Sequence, residues 1–192
     1  MAKACCLSLY RATPACAGVA FGSGLSRTSL FSGPELTFAM EYELHRALAG
    51  DVKGIHGLLL AAAGSGQLLP RSLSDVYNHI RDFFVLHDSG GNVAGCCALA
   101  VFWEDLAEIR SLFLPEELRG RGFGRVLVDA CLEDARELGI RRVFTLTYQT
   151  GFFTQMGFEE VGKDVLPQKI WADCIHCPKF PDCDEIAMQR DL

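Results

Sequence analysis

Residues 114–124 read Leu-Pro-Glu-Glu-Leu-Arg-Gly-Arg-Gly-Phe-Gly. An apolar, strand-like run, Leu106 to Phe113, leads into them, and an amphipathic run from Arg125 to Leu138 leads out. A strand, a glycine loop and a helix N-terminus together make an anion cradle. Gly120, Gly122 and Gly124 let the backbone approach a ligand without a β-carbon in the way. The N–H groups of the loop and of the first helical turn have no intrahelical acceptor, so they are free to point at negative charge. Arg119, Arg121 and Arg125 put positive charge around the same spot.

The loop is not of the Walker type, because no Lys-Ser or Lys-Thr follows a G-x-x-x-x-G. Nor is it the dinucleotide fingerprint, which needs a small residue where Arg125 stands. What it matches is R-x-x-G-x-G, with Arg119, Gly122 and Gly124. A surface turn rich in Gly and Arg is the alternative reading of those residues alone.

A chain of 192 residues suffices for one domain with a substantial core. The formal net charge of −6 argues against a nucleic-acid partner, which needs a broad basic surface. No apolar run is long enough to span a membrane, so no membrane partner is expected. The basic loop is a local exception suited to a small anionic ligand. Residues 1–38 carry three basic residues against one acid and are rich in Ala, Ser, Gly and Cys. Residues 1–39 are expected to be a disordered extension, or an over-long start with Met40 as the true one; a transit peptide is the third option. Nine cysteines show no secreted-disulfide spacing, which points to a reducing, cytoplasmic setting. Cys96, Cys97 and Cys131 lie in apolar runs and read as small core residues.

The remaining pattern gives an order βααβββαβαβ, an α/β fold with a central mixed sheet flanked by helices. The expected elements are a strand over 41–47; a helix from Asp51 as N-cap, with Val52, Ile55, Leu59 and Ala62 on one face; and a helix from Ser72 or Ser74 through Ile80. Strands over 83–87 and 93–103 flank a turn at Asp88–Asn92, and a third covers 106–114. The helix over 125–138 has Leu127, Val128, Cys131, Leu132, Ala135 and Leu138 inward, and Gly139 ends it. A strand over 142–148, a short helix over 151–156 and a last strand over 185–190 complete the domain, 40–192.

This order, the loop, and Phe152-Phe-Thr-Gln-Met-Gly-Phe158 resemble the GCN5-related N-acetyltransferase family. Three further segments are similar to its short-form bacterial N-acetylglutamate synthases, which are amino-acid N-acetyltransferases. They are Ala107-Glu-Ile-Arg-Ser-Leu112, Arg142-Val-Phe-Thr-Leu-Thr-Tyr148, and the run from Leu166 through Cys174 to Glu185. The resemblance implies the family fold, acetyl-CoA as cosubstrate, and transfer of its acetyl group to a small-molecule amine. Glutamate is the expected acceptor, as in the first step of arginine biosynthesis. Another amine such as glutamine, or a non-catalytic acyl-CoA sensor, are the alternatives. A homodimer is a further expectation.

On this resemblance the pyrophosphate would rest on Arg119, Gly120, Arg121, Gly122, Phe123, Gly124 and Arg125. The pantetheine would run beside Leu112, Phe113 and Leu114, with an amide near Leu112 polarising the thioester carbonyl. Glu108 is the candidate general base; a carboxylate paired with Arg110 is the plainer reading. Arg110, two residues on and so on the same face of a regular strand, could clamp a carboxylate of the acceptor. Leu112 breaks that alternation, as a bulge would. The hydroxyl that many family members carry at the place of Phe153 is missing. Thr147 or Tyr148 is the candidate to support the leaving thiolate or the substrate, and a plain strand-end residue is the alternative for Thr147. Lys163 and Lys169 are candidate second carboxylate contacts. Cys174, Cys177 and Cys183, with His176 between, suit two or three ligands of a zinc ion or iron–sulfur cluster; a redox pair and structural packing are the alternatives.

Overall fold

The structure, a computed structural model, describes residues 41–66, 68–166 and 182–192. Among these residues seven strands form one sheet: β1 (Tyr42–Arg46), β2 (Phe83–Asp88), β3 (Val93–Trp103), β4 (Leu106–Phe113), β5 (Arg142–Thr147), β6 (Glu159–Glu160) and β7 (Ile186–Asp191). Their spatial order is β1-β2-β3-β4-β5-β7-β6. All neighbours are antiparallel except β4 and β5. The parallel pair, β4 and β5, is joined by a crossover through a helix, as a parallel connection requires. The α/β mixed-sheet expectation is met.

Among the described residues four α-helices flank the sheet: α1 (Val52–Gly64), α2 (Leu73–Asn78), α3 (Phe123–Glu137) and α4 (Thr150–Gln155). α1 buries the four residues its period assigned, Val52, Ile55, Leu59 and Ala62. Val52, Ile55 and Leu59 pack with Val76 of α2 on Phe83, Val85, Cys96 and Ala98 of the sheet. α3 and α4 cover the other face, with Leu127, Val128, Cys131, Leu132, Phe153 and Phe158 on Leu99, Ala107, Ile109 and Val143. Side chains of that size each contribute about 1.5–3 kcal/mol when fully buried. These two cores on opposite sheet faces, with a third cluster of Leu106, Phe144, Leu166 and Ala187, therefore fix which way the apolar β4 side chains point.

Several ends differ from the periodicity. Asp51 does not cap α1 through its side chain. Its carboxylate accepts from Leu48 N–H at 2.8 Å and lies 3.0 Å from His87 Nε2, so it serves the 3-10 turn before α1. Ser72, of the two serines considered, caps α2 by accepting from Asp75 N–H at 3.1 Å. α2 ends at Asn78, and a 3-10 turn over Ile80–Asp82 leads into β2. α3 starts two residues earlier than its amphipathic pattern, at Phe123. It stops before Leu138, which is 56% exposed. Gly139 adopts φ +77° and donates to Arg136 O, while Ile140 donates to Ala135 O, a Schellman stop that turns Leu138 outward. Cys96, Cys97 and Cys131 are wholly buried, as expected; burial pushes the Cys96 and Cys97 thiols up.

Candidate active site

β4 is the centre of the site, and its pairing changes along its length. On the β3 side Glu108 faces Ala100 and Arg110 faces Ala98, but Phe113 faces Cys96. Three residue steps on β4 thus span two on β3, which is a β-bulge. Ser111 carries it, with φ +56°, the one left-handed non-glycine among the described residues. The bulge reverses the alternation. Leu112 packs with the α3–α4 core, while Phe113 packs with the α1–α2 core. Strict alternation from Ala107 and Ile109 would have placed them the other way round. The apolar Leu112 at an apparently polar position is thereby explained.

On the β5 side the pairing stops. Leu106 faces Arg142, Ala107 faces Val143 and Glu108 faces Phe144, and no further rung joins the two strands. β5 continues along β7 to Thr147. Beyond Glu108 the two strands part, and the β4 backbone over 109–113 is left with an edge that an extended ligand can pair with, as an added strand would. Glu108, partly buried, stands at the fork. Arg110 lies on the same face, without a bulge between them, as expected.

The glycine loop closes the end of that edge. Leu114 seats against Gly95 of β3, where a β-carbon would overlap its Cδ2. Gly120 and Gly122 both take left-handed backbone, φ +71° and +88°. Gly122 is the N-cap of α3, and the first helical bond runs from Val126 N–H to Gly122 O. The amides of Phe123, Gly124 and Arg125 therefore precede the ladder. Consecutive turns of this kind make an anion-binding concavity, and the helix dipole adds to it. A β-carbon at Gly120 would strike nothing but would force L-residue strain. The cradle fits a pyrophosphate, and the forked strand fits a thin extended arm.

The three loop arginines shape the loop as much as they charge it. Arg119 Nε donates to Leu114 O at 2.9 Å and its guanidinium lies 5.8 Å from the Phe113 ring centre. Arg121 pairs with Glu41 at 2.8 Å and lies 5.2 Å from the Phe123 ring centre. Arg125 donates to Gln155 O at 3.3 Å, joining α3 to α4.

Other expected residues fall in different places. Thr147 is buried, and its hydroxyl oxygen accepts from Gln149 N–H at 2.9 Å, tying the end of β5 to the start of α4. By alternation it shares the face of Val143, on the α3–α4 side, opposite Glu108. The Tyr148 hydroxyl donates to Asp184 Oδ1 at 2.5 Å, and Lys163 Nζ donates to Cys183 O at 2.5 Å. Both thus hold the segment entering β7. Phe153 is buried in the α3–α4 core. Lys169, Cys174, His176 and Cys177 lie outside the described residues. Cys183 Sγ is 3.7 Å from Glu185 Oε2, and among the described residues no group of three His, Cys, Asp or Glu could hold a metal.

A charge cluster that sequence reasoning missed lies beside Arg110. Its guanidinium is 3.7 Å from the Asp82 carboxylate. On α2, Asp75 pairs with Arg71 at 2.8 Å and with His79 at 3.1 Å. Burial lifts the Asp82 carboxyl above its ordinary value, against the pull of Arg110, His79, Arg71 and Arg46. Burial also opposes the Asp75 charge, but the Arg71 bond and the fields of Arg71, His79 and Arg110 outweigh it and hold that carboxyl low. The i, i+4 spacing of Arg71, Asp75 and His79 was the legible signal.

Comparison with known proteins agrees with this geometry. Residues 60–158 match the model of the acetyltransferase (GNAT) family. An uncharacterized N-acetyltransferase of Chlorobaculum tepidum is 46% identical over 149 residues, 78% of this chain and 96% of its own length. The amino-acid acetyltransferase of Mycobacterium tuberculosis is 40% identical over 120 residues, 62% of this chain and 68% of its own. The N-acetylglutamate synthase of Neisseria gonorrhoeae, solved with coenzyme A and N-acetyl-glutamate, superposes with a TM-score of 0.71 at 31% identity over 79% of this chain. The chain spans only 35% of that synthase. The anion cradle at α3 and the fork at Glu108 thus sit within the matched region, and the chain belongs to the GNAT family as an acetyl-CoA-dependent N-acetyltransferase.

Proposed function

We propose that the acceptor is L-glutamate and the product N-acetyl-L-glutamate. The observation that carries this reading is the placing of Glu108 and Arg110 on one face of β4, at the point where β4 leaves β5. The first is a proton acceptor beside the fork. The second is a guanidinium one side-chain step away, suited to a carboxylate. Arg71, in the same charge cluster, supplies a second guanidinium on the α1–α2 side, and a dicarboxylic amino acid has two carboxylates to place. The named relatives support the same acceptor class.

In this reading the acceptor lies on the α1–α2 face and the acetyl donor enters from the α3–α4 face. Glu108 takes a proton from the ammonium, directly or through water. The amine attacks the thioester carbonyl, and β4 amides beside the bulge stabilise the oxyanion. The C–S bond then breaks. The thiolate takes its proton from water, from the product amine, or from Thr147, whose O–H remains a donor while its oxygen accepts from Gln149. Phe153 supplies no proton. The test is thiol release from acetyl-CoA across a panel of amino acids. Glutamate should be the preferred acceptor; release with another amine but not with glutamate overturns the reading.

A further inference from the structure

The bulge leaves two residues of β4 outside the β3 ladder. Arg110 faces Ala98 and Phe113 faces Cys96, while Ser111 and Leu112 have no rung of their own, and neither has Cys97 between those partners. Two consecutive cysteines therefore stand opposite the bulge. Cys96 points into the α1–α2 core and Cys97 into the α3–α4 core. Both sulfurs reach carbonyls of the bulge: Cys96 Sγ donates to Ser111 O at 3.6 Å, and Cys97 Sγ lies 3.9 Å from Arg110 O. Cys97 is also in contact with Cys131 Sγ at 3.6 Å, so Cys96 is the thiol given over to the bulge.

The direction of a carbonyl decides where the next amide points. A trans peptide is planar, so its C=O and N–H face opposite ways. With Ser111 O turned to Cys96 on β3, the Leu112 N–H turns to the other edge of β4. With Arg110 O beside Cys97, the Ser111 N–H turns the same way. In a regular strand successive N–H groups face alternate edges. The left-handed Ser111, φ +56°, breaks that rule and sets two amides side by side. They face the edge that β5 leaves after Glu108.

The state of the thiol suits the task. Burial pushes the Cys96 thiol up, Cys97 adds to the rise, and the Phe113 N–H, bonded to the sulfur, works against it. The sulfur thus keeps its proton at neutral pH and can donate to Ser111 O. One sulfur bonds the chain on either side of Leu112. It is wholly buried, so water does not compete for it. An S–H···O bond is weak, but the peptide it holds is one that neither ladder pairs.

We propose that Cys96 is a positioning residue for acetyl transfer: its thiol holds the Ser111 carbonyl and so aims the Leu112 N–H at the thioester oxygen, without touching either substrate. This inference rests on the reading of the β4 amides as oxyanion donors.

Cys96→Val in the full chain removes the donor and keeps a side chain of similar size. Its kcat should fall by about tenfold, less than the roughly hundredfold or more lost when an oxyanion donor is removed outright. KM for acetyl-CoA should stay within about twofold, because the cradle lies beyond β4. The infrared stretch of the thioester carbonyl, read on 13C-labelled acetyl-CoA bound without an acceptor, should drop on binding to the wild type. The drop should shrink in Cys96→Val and return in Cys96→Ser. A packing role alone would lower Tm and leave the stretch where the wild type has it. A wild-type stretch and kcat in Cys96→Val overturn the proposal. If that variant does not fold, Cys96→Ala is read in the same way. In the wild type the Leu112 amide proton should move downfield when acetyl-CoA binds, and an unmoved signal also overturns the proposal. No drop in the wild-type stretch removes the oxyanion reading and this inference with it; a drop that persists in Cys96→Val removes Cys96 alone. Neither measurement on bound acetyl-CoA depends on glutamate being the acceptor.

Discussion

Phe152 of α4 lies against Gly124 of α3: a β-carbon at 124 would stand 3.4 Å from two carbons of the ring. The helix that offers its amides to an anion is therefore backed by an aromatic side chain, and glycine is what keeps the approach open. Gly122 is constrained differently, by its φ of +88°. The two alanine variants should separate stability from ligand binding. Gly122→Ala should cost about 1–2 kcal/mol from left-handed strain and lower Tm. Gly124→Ala should leave Tm near wild type, because a helical alanine gains about 1 kcal/mol while the ring yields slightly. Both should weaken acetyl-CoA binding, read by titration calorimetry. Wild-type acetyl-CoA affinity in Gly124→Ala would show that the ligand does not approach residue 124.

Glu108 occupies the last rung that β4 and β5 share. Glu108→Gln keeps its shape and removes the base. Turnover should fall by about a hundredfold or more, in the range of general-base losses. Acetyl-CoA affinity should stay near wild type, since the cradle lies at the far end of β4. Normal turnover in Glu108→Gln would remove Glu108 from the proton path.

Much of this was legible because it is local. The faces of α1 and α3 follow from a 3.6-residue period, and the cradle follows from glycines between a strand and a helix. The bulge at Ser111 was legible only as a failure of alternation at Leu112. No glycine marks it, and the strain is imposed by the two cores that claim Leu112 and Phe113. The Arg110–Asp82 pair was invisible because it spans 28 residues and two strands, and only sheet order brings it together. Leu138 misled for the opposite reason: its spacing is helical, but the Schellman stop at Gly139 acts before its side chain can turn inward.

Thr147 can be tested for a structural role apart from a chemical one. Its Oγ1 accepts from Gln149 N–H at 2.9 Å where β5 hands over to α4. Thr147→Val keeps the shape and leaves that amide without its acceptor, a loss of about 1–3 kcal/mol. Tm should fall, and Thr147→Ser should restore it. If Thr147→Val keeps its Tm while turnover falls, the hydroxyl serves the reaction and not the β5–α4 junction.

Asp75 and Asp82 should respond to pH in opposite senses. In Asp75 burial raises the pKa, but the Arg71 bond and the fields of Arg71, His79 and Arg110 prevail and hold it below 3.8. A depressed folded pKa means the charged form stabilises. That contribution is present above 3.8 and is lost as pH falls through the folded value. In Asp82 burial prevails over Arg110, His79, Arg71 and Arg46, and the folded pKa lies above 3.8. The folded state then holds the proton more tightly, so the ionised group opposes folding above its folded pKa, and the penalty disappears as pH falls to 3.8. At pH 7, Asp75→Asn should therefore melt below wild type, and Asp82→Asn should melt at or above it. Both differences should shrink as the pH is lowered through the carboxylate range, which thermal scans from neutral pH to pH 3 would follow. A Tm loss in Asp82→Asn at neutral pH would show that Arg110 outweighs burial and that Asp82 is held for stability.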